Sequence, residues 1–538
     1  MDTKELLYYN GFGGFLKDGK EYIIKTNEEY TPLPWSHMMA NPEFGTIITS
    51  DGGGYTWSHN SRENKITTWT NDPVGDKASE KLWIEEKAEA GLKAEDKENA
   101  EGMIGLLPYD TLSGFEIHFG FGYAIFKRKT ESLKTEVTMY VPLSENKKVV
   151  RVSVENLTDS AKHYQTCYLA EMVLGADKEY TRKHLVFENV SQGLKVENHY
   201  RESYANEFVY LLGMANSDSF EINSMVDDEK NGTVQVSFLL LPHQKADIFF
   251  ELKVSSHGQE EINQSNANVL RELEEIKEYW EKLLGNIKVK TPVESMNIMM
   301  NGWLGYQTVV SRLWGRTSFY QAGGAFGFRD QLQDSLIMLY LDPSFARKQI
   351  LYHAAHEFKA GDVLHWWHPE KNNGIRTRYT DDLLWLPYLI CEYLEKTGDD
   401  SILEEQVPYV EMEELRDDEG ERYSEVSISK ETESLYLHAI RAIEKSLHFG
   451  ENGLAEMGTG DWNDGMNKIN GQSVWLTFFM ADVISKFIKV CEHKKDREKV
   501  VKYQEILANL KEVVNTVAWD GNWYKRAFFK DGTPLRFK

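Results

Sequence analysis

The chain has 538 residues and a formal net charge of -24 at pH 7, from 85 acidic and 61 basic side chains. That balance argues against nucleic acid and anionic membrane as partners, because both are held through a basic field, and the length predicts two large units in place of one core. Three distant cysteines, Cys167, Cys391 and Cys491, offer neither a disulfide framework nor a cysteine metal site and predict a cytoplasmic protein.

From residue 11 to about 255 the chain reads as short β-branched and aromatic runs between Gly, Asn and Asp turns: "EYIIKT", "FGTIITS", "TEVTMYVPL", "KVVRVSVENL" and "TVQVSFLLLP". Regular strands without helices between them predict an antiparallel sandwich or barrel over 1–258. The charged stretch "IEEKAEAGLKAEDKENAEG" is read as an inserted solvated helix or loop. Over 259–291, "EEINQSNANVLRELEEIKEYWEKLLGNIKV" repeats apolar residues at three and four and carries many Glu/Lys pairs, the pattern of an amphipathic linker helix. From 292 to 538 helical periods dominate, separated by Gly- and Trp-rich loops, which predicts an α-barrel or toroid whose loops gather at one mouth. About seven helices are readable where a double ring of six pairs needs about twelve, so the toroid is expected to be C-terminally incomplete and the chain a fragment of a longer or split protein.

Three loop segments carry groups suited to hydroxyls. In "YQAGGAFGFRDQLQDS", Arg329, Asp330, Gln333 and Asp334 open a helix; acids in a first turn are also an ordinary structural preference. In "GDVLHWWHPEKNNGIRTRYTDDLLWLPY", His365, Trp366, Trp367 and His368 precede Arg376, Arg378, Asp381 and Asp382. Its histidines, and those of "HAAHE" at 353–357, match no metal motif, so no metal is expected. Planar guanidinium forks and carboxylates bind vicinal hydroxyls while an indole covers the apolar face of a sugar ring. In "GTGDWNDGMN", Asp461 and Asp464 flank Trp462 and Asn463. A carboxyl held against Trp462 in a partly dry cleft would gain proton affinity and could protonate a departing sugar oxygen. The alternative of a calcium loop lacks the EF-hand spacing.

These motifs, with the N-terminal "NGFGGF", "TPLPWSHMMANPEFG" and "GGGYTWSHNSRENKITTWTNDPV", resemble glycoside hydrolase family 94, the inverting β-glycoside phosphorylases. Within it they are most similar to the 1,2-β-oligoglucan phosphorylases and the phosphorylase-like region of cyclic β-1,2-glucan synthases. The resemblance implies an N-terminal β-supersandwich, a helical linker and an (α/α)6 toroid. It implies that Asp464 is the general acid, that Trp462 lines the cleaved subsite, that Arg376 and Asp382 pair on the donor sugar, and that Arg329 with Asp330 lies near it. Gln333, Trp366 and Asn463 are further sugar-binding candidates, and His365 and Arg378 are candidates for phosphate. Inorganic phosphate is then the nucleophile and co-substrate, with no cofactor, where an inverting hydrolase would need a second carboxylate such as Asp381 or Glu456. The expected reaction converts β-1,2-glucan to α-glucose 1-phosphate and a shortened glucan; the competing expectations are a hydrolase on a similar toroid and an inactive sugar-binding fragment. A homodimer is implied by the resemblance, with "NSRENKITTWTNDP" as a loop that reaches the neighbour.

Overall fold

The computed structural model describes residues 5–26, 31–72, 75–87, 103–110, 114–201, 203–216, 219–257, 260, 262, 264–318, 321–369 and 373–535. The greater part of the charged insertion, 88–102, lies outside the described residues. Contacts divide the chain into two compact units, 1–324 and 325–538.

The first unit is built on two antiparallel sheets. One has ten strands and runs from Gly13–Phe15 through Glu21–Thr26, Phe115–Gly120, Tyr123–Lys129, Leu133–Tyr140, Lys147–Asn156, Lys245–Ser255, Phe208–Ala215 and Gly193–Asn198 to Leu185–Val190. The other has nine and is centred on the long strand Lys162–Gly175, which pairs with Asn231–Leu240, Lys65–Thr67 and Glu80–Glu86. Alternation decides which side chains turn inward: Val150, Val152 and Val154 lie opposite Phe250, Ile248 and Ala246, and all six join one core with Phe44, Leu82, Ile84, Tyr168 and Val234 of the second sheet. Two sheets sharing one apolar core make a sandwich. Lys65–Thr67, from the segment expected to reach a neighbour, is a buried strand of the second sheet.

The amphipathic segment forms the helix Asn266–Leu284, capped by Ser265, whose side chain accepts from the Asn268 N–H. Its buried residues Val269, Ile276, Trp280, Leu283 and Leu284 follow a helical period, so one stripe is covered. Gly122, at φ +87°, lets the backbone pass beneath this helix: a Cβ there would sit 2.6 Å from Ile276 Cγ2 and 2.9 Å from Trp280 Nε1. Composition and periodicity put divisions at 258 and 291, whereas the contacts put one after Gly324. The helical run from 294 to 315 is tied to the strands: Trp303 Nε1 donates to the Gly19 carbonyl at 2.7 Å, and Tyr306 O–H donates to the Met38 carbonyl.

The second unit carries the predicted helices at Pro343–Ala354, Asp382–Thr397, Leu435–Ser446, Val474–His493 and Arg497–Val513. "RDQLQDSLIMLYL" is not one helix: Phe328–Asp334 ends in a turn, and Met338–Leu341 follows. The Trp-rich segment taken as loop is sheet. Phe326–Gly327, Leu364–His368, Asn373–Thr377 and Glu421–Glu425 form four antiparallel strands, in keeping with the preference of aromatic residues for a pleated, half-buried surface.

Candidate functional site

The loop 456–471 is fixed by backbone at both ends. Glu456 bridges Gln472, and Gly458 bridges Tyr379 in the left-handed region at φ +64°, where a Cβ would fall 1.7 Å from the Arg378 carbonyl oxygen. Only glycine fits there. Asp461, the first acid of the motif, is fully buried and anchors the loop: it accepts from the Asn463 N–H at 2.9 Å, from Ser473 Oγ at 2.5 Å and from Arg526 Nη2 at 2.8 Å. With its middle pinned, the loop presents Trp462, Asn463 and Asp464 outward. Asn463 Oδ1 accepts from the Gly465 N–H at 3.0 Å and opens the short turn Asp464–Met466.

Trp462 is 52% exposed, and its indole N–H donates to Gln333 Oε1 at 3.0 Å, which brings two predicted residues together. Asp464 accepts from Arg329 Nη2 at 2.9 Å with its side chain 64% exposed. The partly dry cleft expected beside Trp462 is therefore not made by this unit around Asp464. Beside Arg329, it is the buried Asp381 whose proton affinity rises. Burial is the largest cause and the neighbouring Asp382 charge the next, and against the opposing pull of Arg329 they push it up to about 7.

Arg329 ties these groups together. It is buried at the start of Phe328–Asp334, and its Nη1 donates to Asp381 Oδ2 and to the Asp461 carbonyl, both at 3.3 Å. Burial disfavours its charge, but Asp381, Asp382 and Asp464 outweigh burial and hold the guanidinium above its ordinary range. His365 Nδ1 meets Asp382 Oδ2 at 2.7 Å, and its ring stacks on Tyr379 at 4.7 Å. Burial lowers the proton affinity of that imidazole, yet the Asp382 carboxylate more than restores it, so the net direction is upward.

Other predicted residues stand elsewhere. Arg376 does not pair with Asp382. It is buried, with Nε and Nη2 on the two Asp362 oxygens at 2.5 and 2.8 Å and Nη1 on the carbonyls of Met412 and Glu413. Arg378 is exposed but spends its donors on the carbonyls of Leu415, Arg416 and Glu419. Trp366 packs at 5.5 Å from Tyr423 and 5.7 Å from His368 on the small sheet, and Asp330 lies exposed in the first turn of its helix. His353 and His356 are packing groups: burial drives both below their ordinary range, to about 3 and about 4, and His356 stacks on Trp367 at 4.0 Å. Among the described residues no group of three or more His, Cys, Asp or Glu side chains could hold a metal ion.

The comparisons with known proteins speak to the family and the fold. A profile of the glycosyl hydrolase 94 superfamily catalytic domain matches residues 279–537, and one of the glycosyl hydrolase 94 supersandwich domain matches 20–225. The chain belongs to glycoside hydrolase family 94. Over 99% of its length it is 32% identical to the cyclic beta-(1,2)-glucan synthase NdvB of Rhizobium meliloti (strain 1021), of which it covers 20%. It is 23% identical over 97% of its length to the N,N'-diacetylchitobiose phosphorylase of Vibrio furnissii, of which it covers 70%. Among solved structures, a bacterial glucoamylase complexed with acarbose aligns over 95% of this chain and 73% of its own with a TM-score of 0.52 at 10% identity, a likeness of fold alone. The family's sandwich and helical catalytic region thus coincide with the architecture seen here. Among the described residues, no helix is long and apolar enough to cross a membrane.

One residue of the site escaped the sequence. Arg526 anchors Asp461 from a segment, "YKRAFF", with no motif of its own, so nothing could have flagged it. Asp381 did leave a signal, the adjacent acids "DD", because two neighbouring carboxylates at a helix start invite unequal proton affinities.

Proposed function

We propose that the chain carries the acid half of an inverting phosphorolysis of β-linked gluco-oligosaccharides, with Asp464 as general acid and phosphate as nucleophile. One observation carries this reading: in the carboxylate cluster around Arg329, Asp464 is exposed, while Asp381 and Asp382 are buried and engaged by Arg329 and His365. A single accessible acid beside two cationic groups suits an anionic nucleophile, whereas activation of water would ask for a second accessible carboxylate. In this mechanism phosphate attacks the anomeric carbon from the face opposite the leaving oxygen, and the glycosidic C–O bond breaks. Asp464 donates its proton to that oxygen, and the hydroxyl proton of hydrogen phosphate restores the acid. The products are α-glucose 1-phosphate and a glucan shortened by one unit. Trp462, Gln333, Asn463, Asp330 and Trp366 are assigned to sugar, Asp382 to the donor site through His365, and His365 to phosphate.

β-1,2-Glucan is the favoured substrate, a reading supported by the likeness to the cyclic beta-(1,2)-glucan synthase of Rhizobium meliloti. The domain reading of 1–258, 259–291 and 292–538, the second helical region as part of an (α/α)6 toroid, a homodimer and a cytoplasmic setting belong to the same proposal. The test incubates β-1,2-gluco-oligosaccharides with this chain, and with the chain extended to the length of the Vibrio relative, in the presence and absence of phosphate. Phosphate-dependent release of α-glucose 1-phosphate is expected; free glucose formed without phosphate would sink the proposal.

A further inference from the structure

Arg329 divides its guanidinium between two carboxylates of opposite exposure. Nη2 holds the open Asp464, and Nη1 holds the sealed Asp381. Asp381 occupies the N-cap position of Asp382–Thr397, but its side chain makes no capping bond. Its Oδ2 accepts from Arg329 Nη1 at 3.3 Å and weakly from Trp385 Nε1 at 3.5 Å, and its Oδ1 is buried with no partner among the described residues. A carboxyl that caps nothing and leaves one oxygen orphaned lowers stability. A role at the site would account for it better than folding does.

We propose that Asp381 is a positioning residue acting on Asp464 through Arg329: it aims the guanidinium at the acid and, by sharing the cation, sets the pH range over which Asp464 delivers its proton. This rests on Asp464 being the proton donor. The groups around Asp381 are Asp382 on its own helix, Arg329 on Phe328–Asp334, His365 beyond Asp382 on the strand Leu364–His368, Asp461 and Asp464 on the motif loop, and the Tyr379 ring 6.0 Å from the Arg329 guanidinium carbon. When Asp381 is ionised, part of the positive field of Arg329 is spent on it. When Asp381 is neutral, that field falls on Asp464 and Asp382. Because burial and Asp382 bring Asp381 to about 7, the switch between these states falls in the neutral range. Ionised Asp381 lets the acid keep its proton to higher pH, which extends activity on the alkaline side.

Two measurements test this. In the chain labelled with 13C at aspartate carboxyls, the Asp381 resonance is identified by its absence in Asp381→Asn, or in Asp381→Ser if the first variant does not fold. Its titration midpoint is then compared between the parent and Asp464→Asn. Removing a competitor for Arg329 should lower that midpoint by roughly half to one unit. An unchanged midpoint overturns the coupling whatever Asp464 does in catalysis. In the second measurement, the alkaline limb of the pH profile of phosphorolysis in Asp381→Asn should move to lower pH by a similar amount, with the acidic plateau retained. A uniform loss at every pH would overturn the positioning role in favour of a purely structural one. Absence of phosphorolysis in the extended parent would sink the functional reading while the titration still decides the coupling.

Discussion

Glu80 in the sandwich and the carboxylates around Arg329 in the helical unit meet opposite surroundings. In the sandwich a single carboxylate, Glu80, receives Lys148 Nζ at 2.8 Å, Thr56 Oγ1 at 2.6 Å, Thr67 Oγ1 at 3.0 Å and the Tyr168 hydroxyl. Burial works against its charge, but Lys148 and the hydroxyls overcome burial and hold it below the usual carboxylate range. Both oxygens of Glu80 are answered. In the helical unit one guanidinium faces three carboxylates, and Asp381 Oδ1 and Asp382 Oδ1 are left without partners among the described residues. A closed network holds a fold in one state, and an open one keeps groups poised to change charge or accept a ligand.

Loss of the exposed acid is expected to cost the most. Asp464→Asn should reduce phosphorolysis by about 10²–10⁴-fold, the range for a lost general acid, and should leave the urea midpoint nearly unchanged because the side chain is mostly in solvent. Sugar phosphate release and denaturation of the same preparation check both halves. A comparable effect of the opposite kind is expected in the sandwich: Lys148→Met strands Glu80 without its cation and should cost about 3–5 kcal/mol of stability. Were Asp464→Asn the more destabilising of the two, the division between a structural and a functional network would fail. A smaller effect is expected at Trp462→Ala, which removes an exposed ring and its bond to Gln333; KM for the glucan should rise about tenfold, equivalent to roughly 1.4 kcal/mol, with little change in kcat. A fall in kcat alone would assign Trp462 to the acid and not to the sugar.

How much of this was legible follows from the range of each signal. The strand "EYIIKT" and the helix capped by Ser265 are decided by neighbours two to four residues away, and both appear where pattern puts them, at Glu21–Thr26 and Asn266–Leu284. The pairing of Trp462 with Gln333, and of Asp464 with Arg329, joins residues 129 and 135 positions apart, yet motif resemblance had already marked all four. Arg376 shows a contact that no motif marked. Its partner Asp362 lies 14 positions away, just before the strand Leu364–His368, and no local pattern announces that pairing. The strands around Trp366 were missed because Gly, Asn and Pro beside them read as loop, while the pairing that makes them sheet comes from Phe326–Gly327 and Glu421–Glu425.

A raised carboxyl also occurs away from the site, and a weaker effect is expected there. Glu357, like Asp381, is a fully buried carboxyl with one oxygen unpartnered among the described residues. Burial pushes it up to about 7 against the opposing influence of His438, whose Nδ1 lies 2.8 Å from Glu357 Oε2 and whose Nε2 is taken by the Val407 carbonyl at 3.0 Å. Because its folded value lies above the ordinary 4.5, the folded chain holds a proton that the unfolded chain has lost between those values. Its contribution to stability is therefore complete below about 4.5 and declines as pH rises toward 7, by at most about 1.4 kcal/mol per pH unit. In Glu357→Gln that decline should disappear, so urea midpoints of variant and parent should diverge between pH 4.5 and 7; parallel curves would show that Glu357 does not titrate there. Among the described residues, His438, the imidazole paired with Glu357, gives its other nitrogen to the Val407 carbonyl, whereas Arg329 joins Asp381 to the exposed Asp464. Glu357→Gln should therefore leave the pH profile of phosphorolysis in place while Asp381→Asn moves it. A raised carboxyl matters to the chemistry only where a common cation carries its charge state to the reacting group.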